Sequence, residues 1–153
     1  MNNLLPHQVF LALGSNLGNR VEHIRNAITL IDERVGHLVR QSSLIASEPW
    51  GFESVNKFMN CVILCETNLT PREVLKVTQQ IEREMGKQKQ HATRRCKSSN
   101  ANCQLSIYHD RPIDIDILLY DDLTIDEPDL KIPHPLMHER DFVMIPLKEI
   151  MSS

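Results

Sequence analysis

Asp114 and Asp116, in the run Ile113-Asp114-Ile115-Asp116-Ile117, are the residues of this 153-residue chain best suited by type and spacing to chemistry. In a β-strand successive side chains alternate, so the two carboxylates share one face, about 6.5–7 Å apart along the chain at ~3.3 Å per residue. Ile113, Ile115 and Ile117 then share the other face and must pack on a core. Two neighbouring carboxylates repel unless a cation sits between them. Mg²⁺ is the natural candidate, a hard ion that prefers carboxylate oxygen and takes its other ligands from water and substrate phosphates. Two such ions about 3.5–4 Å apart would clamp a polyphosphate on both sides of the bond being broken. On the solvent face of an edge strand the same pair would do nothing, so the surroundings decide.

Those surroundings are basic. Of 17 Lys and Arg, five (Lys87, Lys89, Arg94, Arg95 and Lys97) fall between Gly86 and His109, where there is no acid. The rest of the chain sets 12 cations against all 20 acids, within a net charge of −3. Such an acidic body is a poor non-specific binder of nucleic acid. One concentrated basic loop instead fits a local anionic ligand. Phosphoryl transfer needs positive groups around the non-bridging oxygens and little else from the protein. Arg111, three residues before Asp114, would enter the same site with a fork able to grip phosphate bidentately.

His134 and His138 have helical metal-ligand spacing, but Pro133 and Pro135 flank His134, so the two do not share a helix. A phosphate or nucleobase contact suits His134 better. Gly14-Ser15-Asn16-Leu17-Gly18 matches neither of the common phosphate-binding glycine loops. Cys61, Cys65, Cys96 and Cys103 form no Cys-x-x-Cys pair, and the first two fall in an apolar run that reads as core.

The elements that must hold these residues are legible from periodicity. Val9 to Leu13 is a short buried strand ending at Gly14; Val21, Ile24, Ile28, Ile31 and Val35 then mark a helix. Leu38 to Ser47 reads as one strand with mixed faces, and Met59 to Glu66 as another. Thr70-Pro71-Arg72-Glu73 opens a second helix with a capping box, its buried stripe Val74, Thr78, Ile81 and Met85. After the polar segment 87–108, Ile113 to Tyr120 is a strand, with Leu123 to Ile125 expected as its hairpin partner across an Asp121-Asp122 turn. Ile132 to Pro135 is extended, and a short helix runs from Phe142 to Ile150. The order β-α-β-β-α-β, with extra strands and a C-terminal helix, predicts an α+β, ferredoxin-like antiparallel sheet backed by helices, in one domain over 1–153. With 41% hydrophobic residues, no apolar run of membrane-spanning length and no signal-like start, the expectation is a cytoplasmic monomer. The residues alone support Mg²⁺-dependent polyphosphate chemistry. A palm-type nucleotidyltransferase and a non-catalytic ferredoxin-like binding module are the other readings.

The chain also resembles the 6-hydroxymethyl-7,8-dihydropterin pyrophosphokinase family. The resemblance runs through Gly14 to Gly18, Ser47-Glu48-Pro49, Phe58-Met59-Asn60, Thr70 to Gly86 with Gln79 and Glu82, Arg111 to Leu118, Pro133-His134-Pro135, and His138 to Val143. It implies transfer of an intact pyrophosphoryl group from ATP to a pterin's hydroxymethyl oxygen, releasing AMP, in folate biosynthesis. Asp114 and Asp116 would hold two Mg²⁺ ions. Gln79, Arg111, His134 and cations among Lys87, Lys89, Arg94, Arg95 and Lys97 would contact ATP, with Arg140 near the transferred group or the pterin. Ser47, Glu48, Trp50, Phe58 and Asn60 would form the pterin side, with Tyr108 and Phe142 sandwiching the ring. The basic loop is about a dozen residues longer than the usual family version, and His109-Asp110 stand where Gly-Pro is frequent.

Overall fold

The computed structural model describes residues 5–47, 57–86 and 112–151. Its elements are β1 (His7–Ser15), α1 (Arg20–Arg34), β2 (Gly36–Gln41), β3 (Ile45–Ser47), β4 (Phe58–Thr67), α2 (Pro71–Gly86), β5 (Asp114–Tyr120), β6 (Ile125–Glu127), β7 (Leu130–Ile132), a 3₁₀ turn (Met137–Glu139) and α3 (Asp141–Met151). The main sheet has the order β2-β4-β1-β5, with β3 also on β4, and every pairing is antiparallel. This is the expected ferredoxin-like arrangement with the expected extra strands and terminal helix.

The continuous apolar runs of β1 and β4 follow from burial on both faces. Val9, Leu11 and Leu13 join Cys61, Ile63 and Cys65 beneath α1 and α2. Ala12, Val62 and Leu64 lie on the opposite face, with Val143, Leu147 and Ile150 of α3. Cys61 and Cys65 are thus core residues, and burial pushes both thiols up, Cys65 to about 12.

Local chemistry sets the helix starts. The Asn19 side chain accepts the Glu22 N–H (3.2 Å) to cap α1, after Gly18 takes the positive φ of 67° that glycine allows. Thr70 and Glu73 form the expected reciprocal capping box, at 3.2 and 2.8 Å. Gly36 carries the chain from α1 into β2 hard against β4, where an added Cβ would lie 2.0 Å from the Glu66 carbonyl oxygen.

Two expectations are corrected. The single strand from Leu38 to Ser47 is two strands, because the chain leaves the ladder at Ser42. There the Ser42 hydroxyl accepts the Val62 N–H (2.9 Å), and Ser43 turns its own N–H to Glu149 (3.1 Å). The hairpin partner of Ile125 is not β5: Ile125–Glu127 pairs with Leu130–Ile132. The outer edge of β5 is already occupied, its Ile115 N–H by Glu82 and its Leu118 carbonyl by the His134 N–H (3.0 Å).

Candidate active site

The face of the sheet turned toward α3 carries the candidate site, and strand register assembles it. On β1, Gly14 pairs with Asn60 of β4 on one side and with Asp114 of β5 on the other. One step along, Ala12 pairs with Val62 and Asp116. Directly paired residues of antiparallel strands point to the same face. Asn60, Gly14 and Asp114 therefore form one row, and Val62, Ala12 and Asp116 the next. The central strand contributes its smallest side chains, which keeps the floor low between Asn60 and the carboxylates. A Cβ on Gly14 would sit 3.1 Å from Asn60 Oδ1 and 3.3 Å from Phe58 Cδ1.

The aspartates are partly exposed while Ile113, Ile115 and Ile117 are buried on the opposite face, the alternation expected from their spacing. Among the described residues no third His, Cys, Asp or Glu joins the pair in a metal-holding cluster. A donor set of two carboxylates fits a hard cation that completes its shell with water and substrate oxygen, as Mg²⁺ does.

Asn60, 5% exposed, donates from Nδ2 to the Ile45 carbonyl (3.1 Å) and to Ser47 Oγ (2.8 Å). Both amide protons are thus directed into β3, and the amide oxygen lies toward Gly14. Phe58 is buried beside it. Ser47, Phe58 and Asn60, which the resemblance assigned to one subsite, do come together.

His134 sits on the outer edge of β5. Its Nδ1 accepts the Leu136 N–H (3.2 Å), which leaves the neutral ring's proton on Nε2. Burial, and secondly the Arg140 charge, hold its pKa below the ordinary value, against an opposing pull from Asp114. The imidazole thus lies within electrostatic reach of Arg140 and the first aspartate. The Arg140 guanidinium stands 5.8 Å from the centroid of Phe142, a cation–π distance. The Arg140 carbonyl accepts the Val143 and Met144 N–H groups (2.9 Å each), so it is anchored at the start of α3. Phe142 packs against the Val62 and Leu118 cluster on the aspartates' side of the sheet. His138 lies in the 3₁₀ turn and His134 before it, outside any helix, as the prolines required.

Gln79 differs in position. It is exposed on α2, the layer opposite the aspartate face, one turn before Glu82. Glu82 was not among the predicted site residues, yet its Oε2 accepts the Ile115 N–H at 2.6 Å, between the two aspartates. Its place in the α2 stretch of the resemblance was the only signal for it. Glu48, Trp50, Lys87, Lys89, Arg94, Arg95, Lys97, Tyr108 and Arg111 lie outside the described residues.

Comparison with known proteins gives the family and the fold. Residues 10–152 match the family model described as 7,8-dihydro-6-hydroxymethylpterin-pyrophosphokinase. A Porphyromonas gingivalis protein named 2-amino-4-hydroxy-6-hydroxymethyldihydropteridine pyrophosphokinase is 43% identical over 143 residues, covering 93% of this chain and 89% of the relative. A Bacillus subtilis protein of the same name is 36% identical over 151 residues, covering 98% and 79%. The fold is similar to that in a crystal structure of HPPK-DHPS in complex with substrates, with TM-score 0.68 at 14% identity, over 95% of this chain and 40% of that one. Wild-type Plasmodium falciparum HPPK-DHPS gives 0.67 at 15% identity, over 96% and 42%. This chain therefore spans about 40% of those longer proteins. Family model and curated relatives agree, and the chain belongs to the 7,8-dihydro-6-hydroxymethylpterin-pyrophosphokinase family.

Proposed function

We infer that this protein transfers an intact diphosphoryl group from ATP to the hydroxymethyl oxygen of 6-hydroxymethyl-7,8-dihydropterin and releases AMP, in Mg²⁺-dependent fashion. The observation that carries the reading is the row Asn60–Gly14–Asp114, in which a heterocycle-reading amide and a metal-type carboxylate flank one glycine. A flat polar ring lying over Gly14 would present donors to Asn60 Oδ1 and its exocyclic alcohol toward the aspartates.

Asp114 and Asp116 would hold two Mg²⁺ ions, which when bound neutralise the triphosphate and lower the pKa of the alcohol. The protein's own groups do the rest. Arg140 would offset charge on the transferred group, and the Nε2–H of neutral His134 would donate to a phosphate oxygen. Phe142 supplies an aromatic face, with Tyr108 proposed for the other. Arg111, Gln79 and the cations Lys87, Lys89, Arg94, Arg95 and Lys97 are proposed to surround ATP, and Ser47, Glu48, Trp50 and Phe58 to line the pterin side. No described residue stands out as a dedicated base, so catalysis rests on alignment and charge neutralisation. Two-substrate alignment also disfavours water as a competing acceptor. The family match over residues 10–152 supports one pyrophosphokinase domain.

Phosphorus NMR of the protein with MgATP and 6-hydroxymethyl-7,8-dihydropterin tests this. AMP and a pterin-linked diphosphate should appear only when both substrates are present. ADP would indicate single-phosphoryl transfer and free pyrophosphate a nucleotidyltransferase, and either would overturn the reading.

A further inference from the structure

Among the described residues strand β5 is the outermost strand of the main sheet, so the backbone groups on its free side face no described neighbouring strand. Its ladder with β1 ends at the Gly14–Asp114 pair, leaving the aspartate segment at the end of an edge. Edge strands are where bulges and slips concentrate. A bulge at Ile115 would send one aspartate to the opposite face and a one-residue slip would send both, because side-chain direction alternates with a period of two.

One side chain holds this point. Glu82 Oε2 accepts the Ile115 N–H at 2.6 Å, short even for a charge-assisted bond. Its donor is the amide between the two carboxyl-bearing residues, and its acceptor is mounted on α2. That helix is set by Val74, Thr78 and Ile81, all buried in the core. Glu82 thus ties the residue between the two aspartates to a rigid element, from the side opposite the proposed substrates.

We propose that Glu82 is a positioning residue for diphosphoryl transfer: its bond to the Ile115 N–H keeps Asp114 and Asp116 together on the α3 face at the spacing their shared cations require. This rests on the reading that the pair holds Mg²⁺. Glu82 itself touches neither metal nor substrate in this assignment. An ordinary edge cap would contribute to stability alone, whereas a positioning residue changes the Mg²⁺ requirement.

The test uses the full chain with Glu82→Ala, Glu82→Gln and Glu82→Asp. The readouts are Ile115 amide exchange, melting temperature, and the Mg²⁺ concentration that half-saturates the Asp116 amide shift with α,β-methylene-ATP. Glu82→Ala should exchange the Ile115 amide about tenfold faster or more and require several-fold more Mg²⁺. Glu82→Gln, whose amide oxygen accepts the same bond, should stay close to the wild type. Glu82→Asp, one methylene shorter, should fall between them and serves if the alanine variant does not fold. Wild-type Ile115 protection or wild-type Mg²⁺ half-saturation in Glu82→Ala overturns the proposal. So does a glutamine variant with protected Ile115 and an alanine-like Mg²⁺ requirement. A wild-type protein with no Mg²⁺ response defeats the metal reading as well, and is recognised before any substitution is compared.

Discussion

Asn60 and Asp114 stand on the same face of the sheet at one level, each paired with Gly14 of the strand between them. A β-carbon on that glycine would meet Asn60 Oδ1 at 3.1 Å and Phe58 at 3.3 Å. A larger residue there would push Asn60 or Phe58 aside by a few tenths of an ångström and narrow the gap between the amide and the carboxylate. That gap is where the flat ring of the proposed acceptor would lie.

The first prediction concerns that gap. Gly14→Ala should weaken pterin binding by about tenfold, since overpacking a close site costs on the order of 1–3 kcal/mol. ATP affinity should change far less. Calorimetric titration of each ligand separates the two, and equal losses for both would show that the row is not the pterin floor.

Asp116→Ala should cut turnover by about a hundredfold or more, the scale expected when a group offsetting developing charge is removed. The side chain is only partly buried, so the fold should survive. Steady-state rates and a circular-dichroism melt, run together, check both halves. Near-normal turnover would remove the carboxylate pair from the mechanism.

His134 gives a pH prediction with a definite sign. Burial and the Arg140 charge hold its folded pKa below the ordinary 6.5. Between those two values the unfolded chain binds more protons than the folded one, so this histidine makes stability rise with pH through that window. Its contribution is fully present above about 6.5 and is lost as pH falls toward the folded pKa. In NMR titrations Arg140→Ala should raise the His134 midpoint, and Asp114→Asn should lower it further. A midpoint indifferent to both would place the imidazole outside their electrostatic reach.

Gly36→Ala should destabilise the fold without touching the site. Its Cβ would fall 2.0 Å from the Glu66 carbonyl oxygen, a backbone atom that cannot swing aside. A loss of about 3 kcal/mol or more is expected, from forced separation of β2 and β4. Urea unfolding measures it.

Much of the protein was legible locally. The Thr70–Glu73 capping box, the isoleucine-aspartate alternation of β5 and the doubly apolar runs of β1 and β4 depend on neighbours a few residues away, or on simple periodicity. So does the separation of His134 from His138 by prolines. The ordered motifs from Gly14 to Val143 carried the family and the predicted site residues. Where prediction went astray, at the hairpin of Ile125 and the break at Ser42, the outcome turned on which partner held an edge. Glu82, Glu149 and His134 are distant in sequence from the groups they engage.

Element order, the ferredoxin-like class, the aspartate pair and the family can all be read from the chain's residues alone. These follow from propensity, alternation and motif, all written in short stretches of chain. Long-range packing is what brings Asn60, Gly14 and Asp114 into one row, turns the Asn60 oxygen over the glycine and sets Glu82 on the amide between the aspartates. Register and edge occupancy are set when strands compete for distant partners. That free-energy balance is made by the whole sheet and its helices, and no local segment contains it.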